Sequence, residues 1–371
     1  GDATDKIRCQ YYDVMAALLE EHFFRPLSQW HDERKMLFGT IATFGREDMI
    51  RQTWHYGDFF RMMRWFHVTG NEDPEQSQPG ERCFIDAKLS SSVQHVYERD
   101  RAAMCVYWGS GWGMTQEENL AWTHENLAYG LNLYNSHGGL YNTFGGWYEW
   151  VPPSVHWRQP YWEHWQAFVR YVSRLCAVLS QGTHCADVAM LYPLTTVHAH
   201  WRGNAFDAVA DEVATETFAL ARQIYCSGID FDFVNEDLLQ QAEVKDGRLS
   251  IAGIDFRAVV LPPLTTICTG TLEKLQAFIE GGGTVLAFRR LPSASAEQGR
   301  NDPRVRSLLR EIFGIESSDE YLLDSAGASR SGDSVRHQTN ASGGHAFFLP
   351  GQEAYASAAH TSERHREHRY G

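Results

Sequence analysis

The sequence predicts an α/β fold in two parts: the C-terminal half of a (β/α)8 barrel, followed by a small doubly wound α/β domain. Three observations predict it. Up to about residue 183, short apolar runs and amphipathic stretches alternate four times, the pattern of parallel strands joined by crossover helices. From His184 strands and helices alternate again. The loops leaving the first set of strands (GREDM, GNED, GSGWG, NSHGG) carry the unusual residues, as barrels place function at the carboxyl ends of their strands. With 371 residues, 43% apolar and 22% charged, the chain has material for a sizeable core and for two domains.

Between residues 7 and 35 the apolar positions Tyr11, Val14, Met15, Leu18, Leu19, Phe23 and Phe24 recur at helical spacing. Pro26 demands a kink there, or two helices. MLFGTIATFG reads as a strand, GDFFRMMRWF as a helix, and FHVTG as a second strand with NED at its end. FIDAKLSSSVQHVYERD is helical and AAMCVYWGSG is a third strand. In TQEENLAWTHENLAYG, Thr115 is the N-cap and Glu118 stands at capping-box distance, so this is a helix. LNLYNSHGGLY is a fourth strand, and YWEHWQAFVRYVSRLCAVLS a long amphipathic helix. Four units make half a barrel, so the missing half is expected to precede Gly1.

In the second part ADVAMLYP is a strand and ADEVATETFALARQIYCSG a helix, with Gly228 at C′. FDFVNEDLL, the DGRLSIAG turn, RAVVLPP, the helix TLEKLQAFIEGGG and TVLAF complete the alternation. No GxGxxG follows the first strand; Gly281, Gly282 and Gly283 end a helix in a turn, which disfavours a nucleotide site. After Arg300 the apolar periodicity fades. The expected division is therefore a partial barrel at 1–183, the α/β domain at 184–300, and an incomplete domain or disordered tail at 301–371.

The formal charge of −14 argues against a nucleic-acid partner, which wants clustered Lys and Arg. Seven cysteines without a CxxC pair suggest neither a zinc ribbon nor a disulfide framework, and suit structural thiols in a reducing compartment. No apolar run has membrane-spanning length, so no membrane partner is expected. The first residues do not form a signal peptide; secretion of a longer parent stays open, and localisation with it.

Residues 104–165 concentrate aromatic rings (among them Trp108, Trp112, Trp147, Trp157) beside His137, Glu149, His156, Arg158 and several glycines. Such a mixture suits a ligand with an apolar C–H face and a hydroxylated rim, which is a sugar; the competing reading is a Trp-rich core under long loops. Trp108, Trp112 and Trp147 are the stacking candidates, or else core. Glu149, set between Trp147 and Trp150, is the best carboxylate: either an acid with a desolvated, raised pKa, or a scaffold partner of Arg158. His137 either bonds a sugar hydroxyl or is a satisfied core histidine. Glu72 and Asp73 either bind substrate or metal, or are plain loop. Glu117 and Glu118 are charges at a helix N-terminus. GxSxG, HExxH and EF-hand patterns are missing, which removes esterase, metalloprotease and calcium-sensor readings.

RCQYYDVMAALLEEHFFRPLSQW, SSVQHVYERDRAAMCVYWGSGWGMTQEE, GLNLYNSHGGLY, GWYEWVPP, QPYWEHWQAFVRYVSRLCAVLSQG and DVAMLYP, in that order, resemble glycoside hydrolases of the α-L-rhamnosidase group, family 106 being nearest in pattern. The later FDFVNEDLL, DGRLSIAG, RAVVLPP and TLEKLQAFIEGGGTVLAF are similar to the amidotransferase-like domain that follows the barrel there and in family 42 β-galactosidases. The resemblance spans roughly residues 8–292. It implies a carbohydrate substrate and two carboxylates, one at the end of the fourth strand. It also implies inversion of configuration, with the pair about 6.5–9.5 Å apart. A calcium ion near the sugar, bound by oxygen ligands, is implied as well; the residues alone name no cofactor and no metal ligand. Relatives commonly place a Glu seven residues before the Trp of SGWG, and that count from Trp112 lands on Cys105. Where relatives often show Gly-His, this chain has Gly39-Thr40. These departures raise an alternative, a non-catalytic carbohydrate-binding homologue. A homo-oligomer contact through the α/β domain, as in family 42, is a third reading.

Overall fold

The computed structural model describes residues 1–40, 49–72, 84–107, 110–139, 155–203, 207–318 and 336–349, with backbone alone at Asn71, Glu72 and Arg336. The chain divides into two compact units, one of residues 18–55 and 59–184, the other of residues 1–17, 56–58 and 185–371.

In the first unit three parallel strands, β1 (Val68–Glu72), β2 (Arg101–Val106) and β3 (Leu133–Ser136), lie side by side in that order. Gly39 adds a parallel bridge to Val68 on the far side of β1. The register matches Glu72 to Cys105 and Cys105 to Asn135. Gly70 lets β1 and β2 close up, since a Cβ there would stand 2.8 Å from the Ala103 carbonyl oxygen. Helices Phe84–Val96 and Gln116–Ala128 connect the strands, and Trp165–Leu179 follows β3. The capping box read from the sequence is present: Thr115 Oγ1 accepts the Glu118 N–H at 3.2 Å and the Glu118 carboxylate accepts the Thr115 N–H at 2.7 Å. Side chains alternate across a strand. Ala102, Met104 and Val106 accordingly pack with Trp122, Leu127, Trp165, Val172 and Cys176 of the helices, while Ala103 and Cys105 point to the opposite face.

Ahead of these strands, helix Thr4–Leu19, a π-helical turn Glu20–Phe24 and helix Arg25–Glu33 follow one another in sequence, with Pro26 in the first turn of the last segment. Within the unit the buried Glu20 carboxylate takes guanidinium N–H bonds from Arg61 and Arg64 and the Trp65 indole N–H at 2.9 Å. The helix expected over GDFFRMMRWF is only Phe59–Met63.

The second unit holds a six-stranded sheet. In chain order β4 is Val188–Leu191, β5 Phe231–Val234, β6 Glu243–Lys245, β7 Arg248–Ile251, β8 Ile254–Phe256, β9 Ala258–Leu261, β10 Thr266–Ile267, β11 Thr284–Phe288, β12 Ala294–Ser295, β13 Gly299–Arg300, β14 Arg336–Thr339 and β15 His345–Leu349. The sheet order is β14-β15-β11-β9-β4-β5, all parallel except the antiparallel edge β14. β6, β7 and β8 form an antiparallel meander. Its two tight turns use Asp246-Gly247 and Ala252-Gly253, all four at positive φ, the geometry that matches strand twist. Asp207 caps helix Ala208–Cys226 through the N–H groups of Val209 and Ala210, and Gly228 follows that helix at φ +81°.

Two observations bear on the expected division. The chain beyond Arg300 is not only tail: helix Pro303–Phe313, capped by Asp302, belongs to this unit, and β15 completes the sheet against β11. The first seventeen residues group with this unit rather than with β1–β3. Asp5 is buried and accepts both Nε and a terminal nitrogen of Arg300, at 2.9 and 3.3 Å, and Arg300 N bonds Asp2 O at 2.9 Å. This tie is long-range in sequence and invisible to local periodicity.

Candidate active site

Parallel strands leave their loops at one end, and Glu72, Trp112 and His137 stand at or beyond the carboxyl ends of β1, β2 and β3. At the exit of β2 the chain turns sharply because Tyr107 adopts φ +73°, a left-handed conformation that a bulky residue rarely accepts. Its side chain holds it there. The ring is buried against Trp122, Tyr134, Trp165 and Phe168, and the hydroxyl bonds Thr123 Oγ1 and the Asn119 carbonyl. Burial pushes the Tyr107 and Tyr134 hydroxyls well above the usual tyrosine range, so both stay protonated. Beyond the turn, Trp112 sits between Gly111 and Gly113, where an added Cβ would meet nothing within 4 Å. Gly138 and Gly139, after β3, are equally open.

Cys105, the residue to which the count from Trp112 leads, is buried on the strand face away from the helices and takes no part in a disulfide. Its neighbours in register are Glu72 and the exposed Asn135. His137 is half-buried at the end of β3, its N–H bonded to the Val106 carbonyl at 2.8 Å. Trp112 is 37% exposed and meets the ring of buried His156 edge to face, at 5.7 Å and 89°. Trp157 is 59% exposed, and the Arg158 guanidinium lies over its ring at 4.7 Å. The structure thus brings Cys105, Trp112 and His137 to one end of the parallel strands, with Glu72 placed there by its backbone. Asp73, Trp108, Trp147 and Glu149 lie outside the described residues.

Asn135 and His156 were not singled out from the sequence. The register with Cys105 finds Asn135, and no local pattern reveals a register. His156 lay in view inside the aromatic stretch, but only its burial beside Trp112 sets it apart. A calcium ion wants carboxylate oxygens. The described donors at these strand ends include the Asn135 amide and the Ser136 hydroxyl, while the expected carboxylates, Glu72 and Asp73, are not among the described side chains.

The fold is a mixed α/β arrangement found in glycoside hydrolases. A rhamnosidase from Novosphingobium sp. PP1Y superimposes over 95% of this chain and 31% of its own, at TM-score 0.55 and 16% identity. The β-galactosidase from Rahnella sp. R3 does so over 98% of this chain and 59% of its own, at TM-score 0.60 and 11% identity. A putative beta-glucuronidase from Formosa agariphila is 24% identical over 156 residues, which is 42% of this chain and 12% of that protein. The chain matches the alpha-L-rhamnosidase model of glycoside hydrolase family 106 over residues 2–342 and belongs to that family. It spans about a third of the rhamnosidase and under three fifths of the galactosidase.

No helix among the described residues is long and apolar enough to cross a membrane.

Proposed function

We propose that this chain forms the C-terminal half of a (β/α)8 glycosidase barrel followed in sequence by an amidotransferase-like α/β domain, and that the complete protein hydrolyses α-L-rhamnoside-type linkages in oligo- or polysaccharides. The observation that carries the reading is the alternation on β2. Met104 and Val106 face a helix layer while Cys105 is buried on the other side, as an inner barrel position requires. The open glycines and the exposed Trp112 and Trp157 at the strand ends support a sugar as ligand. In the proposed chemistry one carboxylic acid protonates the glycosidic oxygen as the C1–O bond breaks. Water then adds to C1 from the opposite face and gives its proton to a second carboxylate. Glu149 is assigned the acid role, with Trp108, Trp112, Trp147, His137, Glu72 and Asp73 around the sugar.

Cys105 favours a second reading. A thiol has no oxygen with which to take the proton of water or face an oxocarbenium centre, so a member with cysteine there holds glycans without cleaving them. One experiment separates the two. The longest natural polypeptide containing this chain is titrated calorimetrically with rhamnose-containing oligosaccharides while products are assayed. Turnover supports the hydrolase, binding without products supports the binding homologue, and neither defeats both.

A further inference from the structure

His156 is buried, and its Nδ1 accepts the backbone N–H of Arg158 at 3.2 Å. A nitrogen that accepts carries no hydrogen, so the ring proton resides on Nε2, which is a donor. That Nε2 is buried and has no hydrogen-bond partner. Buried donors are ordinarily paired, and an orphan in a native protein calls for an explanation. Its surroundings supply one. The Trp112 indole stands perpendicular to the imidazole at 5.7 Å, and the Trp157 ring lies tilted against it at 5.1 Å. Trp112 is carried by glycines on both sides, Gly111 at φ +91°, with open space around each. Both tryptophans are partly exposed, whereas His156 beneath them is not.

We propose that His156 Nε2–H is a specificity-determining donor for one hydroxyl of the bound sugar. When a sugar binds, the Trp112 indole, which meets the imidazole ring edge to face, takes the C–H face of the sugar while the N–H meets the hydroxyl. The ligand class is a neutral pyranoside unit with an acceptor hydroxyl beside an apolar face. The inference rests on the glycosidase reading and gives it a point of discrimination. A site built to hydrogen-bond a hydroxyl rejects the analogue that lacks it, because the buried donor is then left unpaired.

The test uses the longest natural polypeptide, an aryl α-L-rhamnoside, its monodeoxy analogues and other aryl glycosides. His156→Asn keeps a carbonyl for the Arg158 N–H and removes the Nε2 donor; His156→Gln returns an N–H near the Nε2 position. The expected result is at least a tenfold rise in Kd or KM for His156→Asn with kcat little changed, and partial recovery in His156→Gln. One deoxy analogue should be discriminated by the wild type and not by His156→Asn. The imidazole 15N spectrum should show the Nε2–H tautomer in the free protein and a shifted Nε2 resonance at sugar saturation. If His156→Asn is folded and binds every glycoside as the wild type does, or if the Nε2 resonance stays put at saturation, the proposal is overturned while the glycosidase reading stands. A wild type that binds no glycoside at all overturns both. Should His156→Asn not fold, the deoxy series and the 15N spectrum of the wild type decide alone: a shift on binding together with one strongly rejected analogue supports the role, and the lack of either defeats it.

Discussion

Glu72 and Cys105 stand opposite one another on adjacent parallel strands, Cα to Cα in register, with Asn135 next in line on β3. If the neighbourhood of Cys105 is a barrel interior, Cys105→Glu in the complete protein should restore a second carboxylate and raise turnover of an aryl α-L-rhamnoside by about 10²-fold or more, the usual scale of an acid–base group. The rate and the melting temperature are measured together. A folded, inactive variant would assign the chemistry to another group. Aggregation would mean that the glutamate is buried without a partner.

His198 makes stability depend on acid. Its ring stacks on Tyr12 at 5.0 Å, its Nε2 bonds the Gly57 carbonyl at 2.7 Å, and burial lowers its pKa to about 4. The folded state thus prefers the neutral ring. The stabilisation is fully present above the ordinary histidine pKa of about 6.5 and is lost as pH falls from there toward 4, on the order of 3 kcal/mol in all. Denaturant midpoints measured across that window should fall for the wild type, and more gently for His198→Phe. Equal slopes would remove His198 as the cause.

For Glu20, burial works against the charged form. Hydrogen bonds from Arg61 and Trp65 and the charges of Arg64 and Arg61 together outweigh it and hold the pKa below the usual range. Its stabilisation is therefore present above the ordinary glutamate pKa and lost as pH drops through the lowered one. Glu20→Ala should cost about 2 kcal/mol, less than a fully buried pair because both guanidiniums reach water. Glu20→Gln, which can still accept from Trp65, should cost less. Urea denaturation checks the order; a silent Glu20→Ala would show that the network contributes nothing net.

Gly299 runs at φ +90°, and a Cβ there would come within 2.1 Å of the Asp2 carbonyl oxygen. Gly299→Ala must displace backbone as well as adopt a strained conformation, and should cost about 2 kcal/mol or more. Its melting temperature is predicted to match that of a chain lacking the first three residues, since both lose the same contact. A wild-type melting curve for Gly299→Ala would refute this.

What the sequence disclosed was local. The Thr115–Glu118 capping box, the C′ glycine at 228 and the Asp246-Gly247 turn each follow from a few adjacent residues whose backbone needs are specific. β4, β9 and β11 stood out as apolar runs for the same reason. The π turn at Glu20–Phe24 did not, because its hydrophobic spacing passes for an ordinary helix near a proline. β15 was overlooked since HAFFL is a lone five-residue run beyond a polar stretch, and its strand character comes from pairing with β11. At the candidate site, the aromatic and glycine content drew attention to the ends of β2 and β3, where Trp112 and His137 lie. The Asn135 register and the unpaired His156 nitrogen are products of tertiary packing, which no spacing rule encodes.

The place of β15 bears on how the protein is made. β11 is paired on one side by β9 but meets its other neighbour only with residues 345–349. During synthesis, at some 5–20 residues per second, that edge stays bare for several seconds after β11 has emerged. A nascent chain in that interval offers an apolar parallel edge to any other strand nearby. Chaperone dependence and losses to aggregation should therefore concentrate on translation between β11 and β15, and a ribosome stalled there would hold a sheet that is complete in its core and open at its margin.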